Sequence, residues 1–259
     1  MISAEWLSEI IGVPLDGHLA VIALATLLAG FLRGFIGFGA ALVTIPVISL
    51  VFGPHAALPI VTIMGLPSTL QLLPDAIRHS ERAIVLPMAI AIFVMTPVGT
   101  WILIAVEQGL MKIIISAIVV LMVGFLAMGW SLKDEVSAGV LLLAGAVGGL
   151  VQGAAGIGGP PVVAVALSRA GAPERQRGNV LAVMTAISLA SLPPLYYFGL
   201  FTRHTLVIGL MLLPLYSFAT WFGSRFFSGG GRKYFRGAAL IVLAIIGLVT
   251  LVAALRDYG

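Results

Sequence analysis

The chain has 259 residues, 60% hydrophobic and only 9% charged, with a net charge of +4. An ordinary soluble domain carries roughly a quarter charged residues, so this composition cannot cover a water-facing surface and places the chain in a membrane. Its basic residues stand singly or in small loop groups rather than in a nucleic-acid-binding tract, and the absence of cysteine excludes disulfides, thiolate metal sites and thiol catalysis.

Residues 1–18 hold Glu5, Glu9 and Asp16 but no Lys or Arg, so the basic start of a secretory signal is missing. Trp6, Leu7, Ile10 and Ile11 predict a short amphipathic helix lying at the membrane interface. The next segment, 19–52, runs 34 residues without Asp, Glu or Lys. A straight helix of that length would reach about 51 Å, against a hydrocarbon core of about 30 Å. The stretch RGFIGFGAALVTIP (33–46) is therefore read as a break between two helices.

Apolar spans follow near 55–74, 83–106 and 113–132. A second overlong segment, 136–168, is broken by QGAAGIGGPPVVAV (152–165), with Gln152 standing 119 positions after Arg33. Three more spans are expected near 178–202, 204–224 and 237–255. The order of elements repeats, and IRHSERAIVLPMAIAIFVMTPVGTW is echoed by LFTRHTLVIGLMLLPLYSFATWFGS. Such internal duplication is a transporter habit. The division expected is 1–18, an N-terminal interfacial segment, then 19–134 and 135–259, the two membrane repeats.

Basic residues choose between parallel and inverted copies. If each broken segment crosses once, Lys and Arg divide eight to five across the membrane. If each is a hairpin that returns to its own side, loops 75–82, 133–135, 169–177 and 225–236 share one face, and the division is ten to three. The second fits the positive-inside tendency better. The fold expected is an all-α polytopic membrane protein of two inverted repeats, each a broken-helix hairpin plus three transmembrane helices, with eight to ten membrane helices and both termini outside.

In hydrocarbon, interrupted backbone survives only against protein or a watered cavity. The second arm of each hairpin starts at its turn, so its exposed N–H groups and dipole attract anions. Gly37, Gly39, Gly156, Gly158 and Gly159 suit such turns because glycine admits positive φ and close approach of a ligand. Pro160 and Pro161 fit first helical positions and remove two donors from the second turn. Arg33 is the one Asp, Glu, Lys or Arg inside the apolar segments away from the loops. A cation at such a place is costly and faces a cavity with a task. The expected anion site is Arg33, Gly34, Gly37, Gly39, Ala40, Gln152, Gly153, Gly156, Gly158, Gly159 and Asn179. The competing reading is structural: glycines that let helices pack closely, and an arginine that ties down carbonyls of its own half-helix.

Thr62, Ser68, Thr69 and Gln71 in one span, and Thr185, Ser188 and Ser191 with Asn179 in another, are weaker candidates. Hydroxyls in membrane helices mostly bond back to their own backbone. Tyr196 and Tyr197 fit the interfacial aromatic belt. His55 and His79 lie in or beside loops, His79 with Arg78 and Arg82 in a solvated cluster.

These residues resemble the TauE/SafE family of sulfite exporters, also described as the 4-toluene sulfonate uptake permease group. The likeness rests on GFIGFGAALVTIP and GAAGIGGPPVV, and on the turns FGPHAA and AGAPER after each broken segment; it covers residues 19–256. The first copy reads Gly37-Phe38-Gly39-Ala40 where the family often has three glycines in a row. The resemblance implies a secondary carrier for small sulfur-containing anions such as sulfite, organosulfonates or related oxyanions, in a bacterial cytoplasmic (inner) membrane.

No carboxylate lies within a span, so no proton relay is evident. An anion leaving a negative interior needs none, since each charge moved outward gains roughly 2.3 kcal/mol per 100 mV. Export by alternating access is the expected function. The alternatives are an anion channel or a proton-coupled uptake permease of the same substrates. A membrane enzyme is disfavoured by the lack of HExxH, intramembrane carboxylates and paired histidines, and no GxxxxGK[ST] motor is present. The partners expected are the anionic substrate and the lipid bilayer, with no cofactor, metal or nucleic acid, and with room for a homodimer.

Overall fold

The computed structural model describes residues 17–36, 39–128, 137–167, 173–227 and 232–258. Gly37, most of the expected N-terminal interfacial segment and the expected repeat boundary near residue 134 lie outside the described residues.

Among the described residues the chain is all helix: α1 (Gly17–Ile36), α2 (Ala40–Phe52), α3 (Pro54–His79), α4 (Arg82–Ala105), α5 (Gln108–Ala127), α6 (Ala138–Ala155), α7 (Gly159–Ala166), α8 (Pro173–Tyr197), α9 (Arg203–Phe227) and α10 (Arg232–Tyr258). Five of these carry stretches long and apolar enough to cross a bilayer by length and composition: 82–105, 108–125, 138–155, 178–197 and 203–223. The segments 20–34 and 40–52 are apolar but shorter. Both overlong segments are broken, as their length requires.

Local chemistry sets the helix ends. Pro54 opens α3, where a missing N–H costs nothing. Ser137 caps α6, its Oγ accepting the Val140 N–H at 3.4 Å. Helix α5 begins at Gln108, five residues ahead of the apolar run expected from 113. Lys112 lies inside it, its ammonium donating to the Leu50 carbonyl at 3.4 Å.

Glycines bring helices into backbone contact. On α6, Gly145, Gly149 and Gly153 recur every four residues and meet the backbone of Met88, Ile92 and Thr96 in turn. Helices α4 and α6 therefore run parallel, and Gly99 answers from α4 against Leu150 and Ala154. Close van der Waals contact of this kind substitutes for the hydrophobic drive that lipid cannot supply. Helix α9 lies along α1 in a similar way, with Gly30 against Tyr216 and Ala219, and Gly223 against Phe31.

Two further pairs run antiparallel. The start of α8 meets the end of α3, Gly178 on His79. Helix α5 packs on α10 with Gly109 beside Tyr258 at one end and Gly247 against Val119 and Val120 further along. Each short helix packs on the helix before it, and Gly148 of α6 rests on Val162 of α7, so that the chain doubles back.

The main core cluster joins Leu32, Leu42 and Val43 to Met111 and Ile115 of α5 and to Ala155 and Ile157 at the second turn. Another holds Met88, Ile92, Leu141, Val162, Val183 and Ile187 together across α4, α6, α7 and α8. Large apolar side chains such as Phe93, Trp101, Leu143, Phe218 and Val249 point outward. A water-soluble domain rarely tolerates so continuous an apolar surface.

Candidate functional site

The two breaks start from similar sequence and finish with different chemistry. Gly39 has φ 93°, the left-handed conformation that any Cβ would disfavour. It turns the chain into α2, whose first intrahelical bond is Leu42 N–H to Gly39 carbonyl at 3.1 Å. The amides of Ala40 and Ala41 precede that bond, and no side chain caps this end.

The second break begins at Gly156, φ 69°, whose N–H donates to the Gln152 carbonyl at 2.8 Å and closes α6. The Gln152 side chain then reaches across the turn. Its Oε1 accepts the Gly158 N–H at 3.1 Å, and its Nε2 donates to Ser191 Oγ on α8 at 3.1 Å. Pro160 and Pro161 have no N–H to offer, so this helix start presents fewer donors than the first.

Both starts open on one cavity of about 110 Å³. Since a bound water needs roughly 10–15 Å³ of such space, there is room for a small ion with part of its hydration shell. Arg33 enters from α1, Gly39, Ala40 and Ala41 from the first turn, and Gln152, Gly156, Gly159 and Pro160 from the second. The middle of α3 supplies Thr62, Gly65, Ser68 and Thr69; the middle of α8 supplies Met184, Ile187 and Ser188; α9 adds Tyr216.

Of the residues expected from sequence, Arg33, Gly39, Ala40, Gln152, Gly156 and Gly159 therefore share one wall. Gly34 follows Arg33 on α1 and is not part of that wall. Gly153 sits in the α4–α6 contact against Thr96 and Thr100, and Gly158 presses on the Gly148 carbonyl. Asn179 is buried away from the cavity, and its Oδ1 accepts the Glu81 N–H at 2.7 Å, tying the start of α8 to the start of α4. Gly37 is outside the described residues.

The hydroxyls on α3 and α8 bond back to their own helices. Thr62 Oγ1 donates to the Leu58 carbonyl at 2.8 Å, Ser68 and Thr69 both to the Gly65 carbonyl, and Ser188 to the Met184 carbonyl at 3.0 Å. Thr185 and Ser191 do likewise off the wall.

Tyr216 was not singled out by sequence. Its signal was depth: it lies in the middle of an apolar span, whereas Tyr196 and Tyr197 stand exposed at a helix end as belt residues do. Its ring is buried on α9 within electrostatic reach of Arg33.

Among the described residues, the Arg33 guanidinium has no carboxylate and no hydrogen-bond partner, and no acidic side chain lines the cavity. Nor does any group of His, Asp or Glu among them stand close enough to hold a metal. A guanidinium and the N–H groups of an uncapped helix start are both donors of the kind anions accept from.

The family model for the sulfite exporter TauE/SafE matches residues 22–250. The chain belongs to the TauE/SafE sulfite exporter family. The match takes in both glycine-rich turns and every residue on the cavity wall. Comparison with curated proteins and with solved structures gives no match. TauE/SafE is a family of transporters, and with its apolar helices this member is a multi-pass membrane protein.

Proposed function

We propose that this TauE/SafE protein is a secondary carrier that exports small sulfur-containing anions, sulfite or short organosulfonates, across the bacterial cytoplasmic membrane by alternating access. The observation that carries the reading is the meeting of Arg33 and the uncapped start of α2 on the wall of one cavity, with no acidic side chain among its described lining residues. Export follows from electrostatics: a monovalent anion leaving a negative interior moves downhill by roughly 2.3 kcal/mol per 100 mV, and needs no coupling ion.

The packing supports an inverted duplication of 19–134 and 135–259. Exchanging α1–α5 for α6–α10 maps the α4–α6 contact onto α9–α1 and the α4–α8 contact onto α9–α3. The equivalent helices α3 and α8 run antiparallel, as do α5 and α10, the relation expected between inverted copies. In this arrangement both termini face outward, the loops rich in Lys and Arg face the cytoplasm, and the halves rock about the cavity.

The test is a thermal-shift screen of the purified protein against sulfite, thiosulfate and short sulfonates, since a ligand that binds the folded state raises its Tm. Stabilisation by sulfite or a sulfonate, followed by voltage-driven efflux of the same anion from proteoliposomes, is the expected result. A Tm indifferent to every one of them overturns the proposal.

A further inference from the structure

We infer that the cavity selects a monoanion carrying a hydrogen-bond donor, such as hydrogensulfite, and rejects the corresponding dianion. The inference rests on the anion-carrier reading and adds the charge state of the ligand to it.

Two sets of groups, a donor pole and an acceptor pole, line the wall. The donors are the Arg33 guanidinium and the Ala40 and Ala41 amides at the start of α2. The hydroxyls of Thr62, Ser68, Thr69 and Ser188 have given their protons to the carbonyls of Leu58, Gly65 and Met184. What those hydroxyls turn toward the cavity is oxygen lone pairs. The second helix start adds little positive potential, because Pro160 and Pro161 carry no N–H and the Gly158 N–H is bound to Gln152. An ion with one negative charge matches the one guanidinium. A second charge would face oxygen lone pairs with no second cation among the described lining residues to balance it, and uncompensated charge away from bulk water is costly. A hydrogen on the ion, by contrast, finds an acceptor there.

No histidine and no carboxylate is among the described residues lining the cavity. Among the described lining residues, α1 contributes Arg33 and α9 contributes Tyr216, while α2, α3, α6, α7 and α8 contribute no ionisable side chain. Any pH dependence of binding around neutrality then belongs to the ligand. Sulfite changes from monoanion to dianion near neutral pH, methanesulfonate stays a monoanion, and sulfate stays a dianion.

The experiment is calorimetric titration of the purified full-length protein with sulfite, methanesulfonate and sulfate, on either side of the second ionisation of sulfite. Sulfite affinity should follow its monoanion fraction, weakening about tenfold for each pH unit above that ionisation. Methanesulfonate, which has no hydrogen to donate, should bind more weakly than hydrogensulfite but equally at every pH, and sulfate should bind at none. Sulfite affinity that holds or rises with pH, or sulfate binding as tight as methanesulfonate, overturns the selection while leaving the carrier reading in place. Failure of all three anions at every pH removes the carrier reading, and this inference with it. A second arm uses Thr62→Val with Ser188→Ala. Loss of the lone pairs should weaken sulfite more than methanesulfonate, and equal losses would remove the acceptor pole.

Discussion

Gln152 closes the second turn on Gly158, its Oε1 accepting the Gly158 N–H at 3.1 Å while its Nε2 reaches Ser191 on the neighbouring α8. One side chain thus holds the end of α6, the turn before α7 and the middle of α8 in register. Gln152→Ala should cost about 1–3 kcal/mol of stability, the range for leaving a buried donor unpaired, and should weaken anion binding through a looser turn. Gln152→Glu keeps an acceptor for Gly158 but sets a carboxylate on the cavity wall. Its anion affinity should fall further than that of the alanine variant, at a smaller loss of Tm. Thermal melts and calorimetric affinities on both variants check this; an affinity loss in Gln152→Glu that only tracks its Tm would contradict it.

Arg33 is half-buried on the cavity wall without an acidic partner among the described residues. Its removal should therefore leave the fold intact. Charge-assisted hydrogen bonds contribute about 1.5–3 kcal/mol each, so Arg33→Ala should lower anion affinity by roughly 10- to 150-fold and abolish flux at modest concentrations. Arg33→Lys keeps the charge and loses the planar fork, and should fall between. Proteoliposome efflux, beside size-exclusion profiles of the same preparations, reads both. Wild-type flux through Arg33→Ala would place the binding site elsewhere.

Glycines of the same helical conformation should differ in what they tolerate. A Cβ at Gly149 would lie 2.7 Å from the Ile92 carbonyl and 2.8 Å from its Cα, both backbone atoms that cannot swing aside. Gly149→Ala should lower stability by about 1–3 kcal/mol, as overpacking does. At Gly124 on α5 a Cβ meets nothing within 4 Å. There the better helix propensity of alanine, up to about 1 kcal/mol, should leave Tm unchanged or higher. A common response in both variants would mean that helix propensity rather than the α4–α6 contact dominates.

The two breaks were legible because length is unambiguous: segments of 34 and 33 residues exceed one crossing, and the glycine clusters mark where each second helix starts. Arg33 was legible for the same reason, as the lone cation in an apolar segment. What each glycine does was not. Gly39 and Gly153 have equal weight in sequence, yet one turns the chain at the cavity and the other carries the contact between α4 and α6. Only the partner helix distinguishes them, and it lies dozens of residues away. Asn179 misled in the same manner, since its amide answers a backbone N–H of α4, distant in sequence. Tyr216 required the pairing of α9 with α1, a contact with no local signature.

Gly65 faces the cavity from α3, and a Cβ built on it meets nothing within 4 Å. Its carbonyl accepts from both Ser68 and Thr69, at 2.8 and 3.2 Å, and would continue to do so in an alanine variant. Gly65→Ala should therefore leave stability intact and place one methyl inside a space of about 110 Å³. A single carbon in a pocket discriminates by about 1–3 kcal/mol, and the ligands that fill the space most should bear that loss. Ethanesulfonate and larger sulfonates should lose roughly tenfold or more in affinity, with sulfite nearly unaffected. Competition assays with a graded sulfonate series would read the dependence directly. An equal loss for sulfite and for every sulfonate would show that the methyl disturbs α3 rather than the volume available to the ligand.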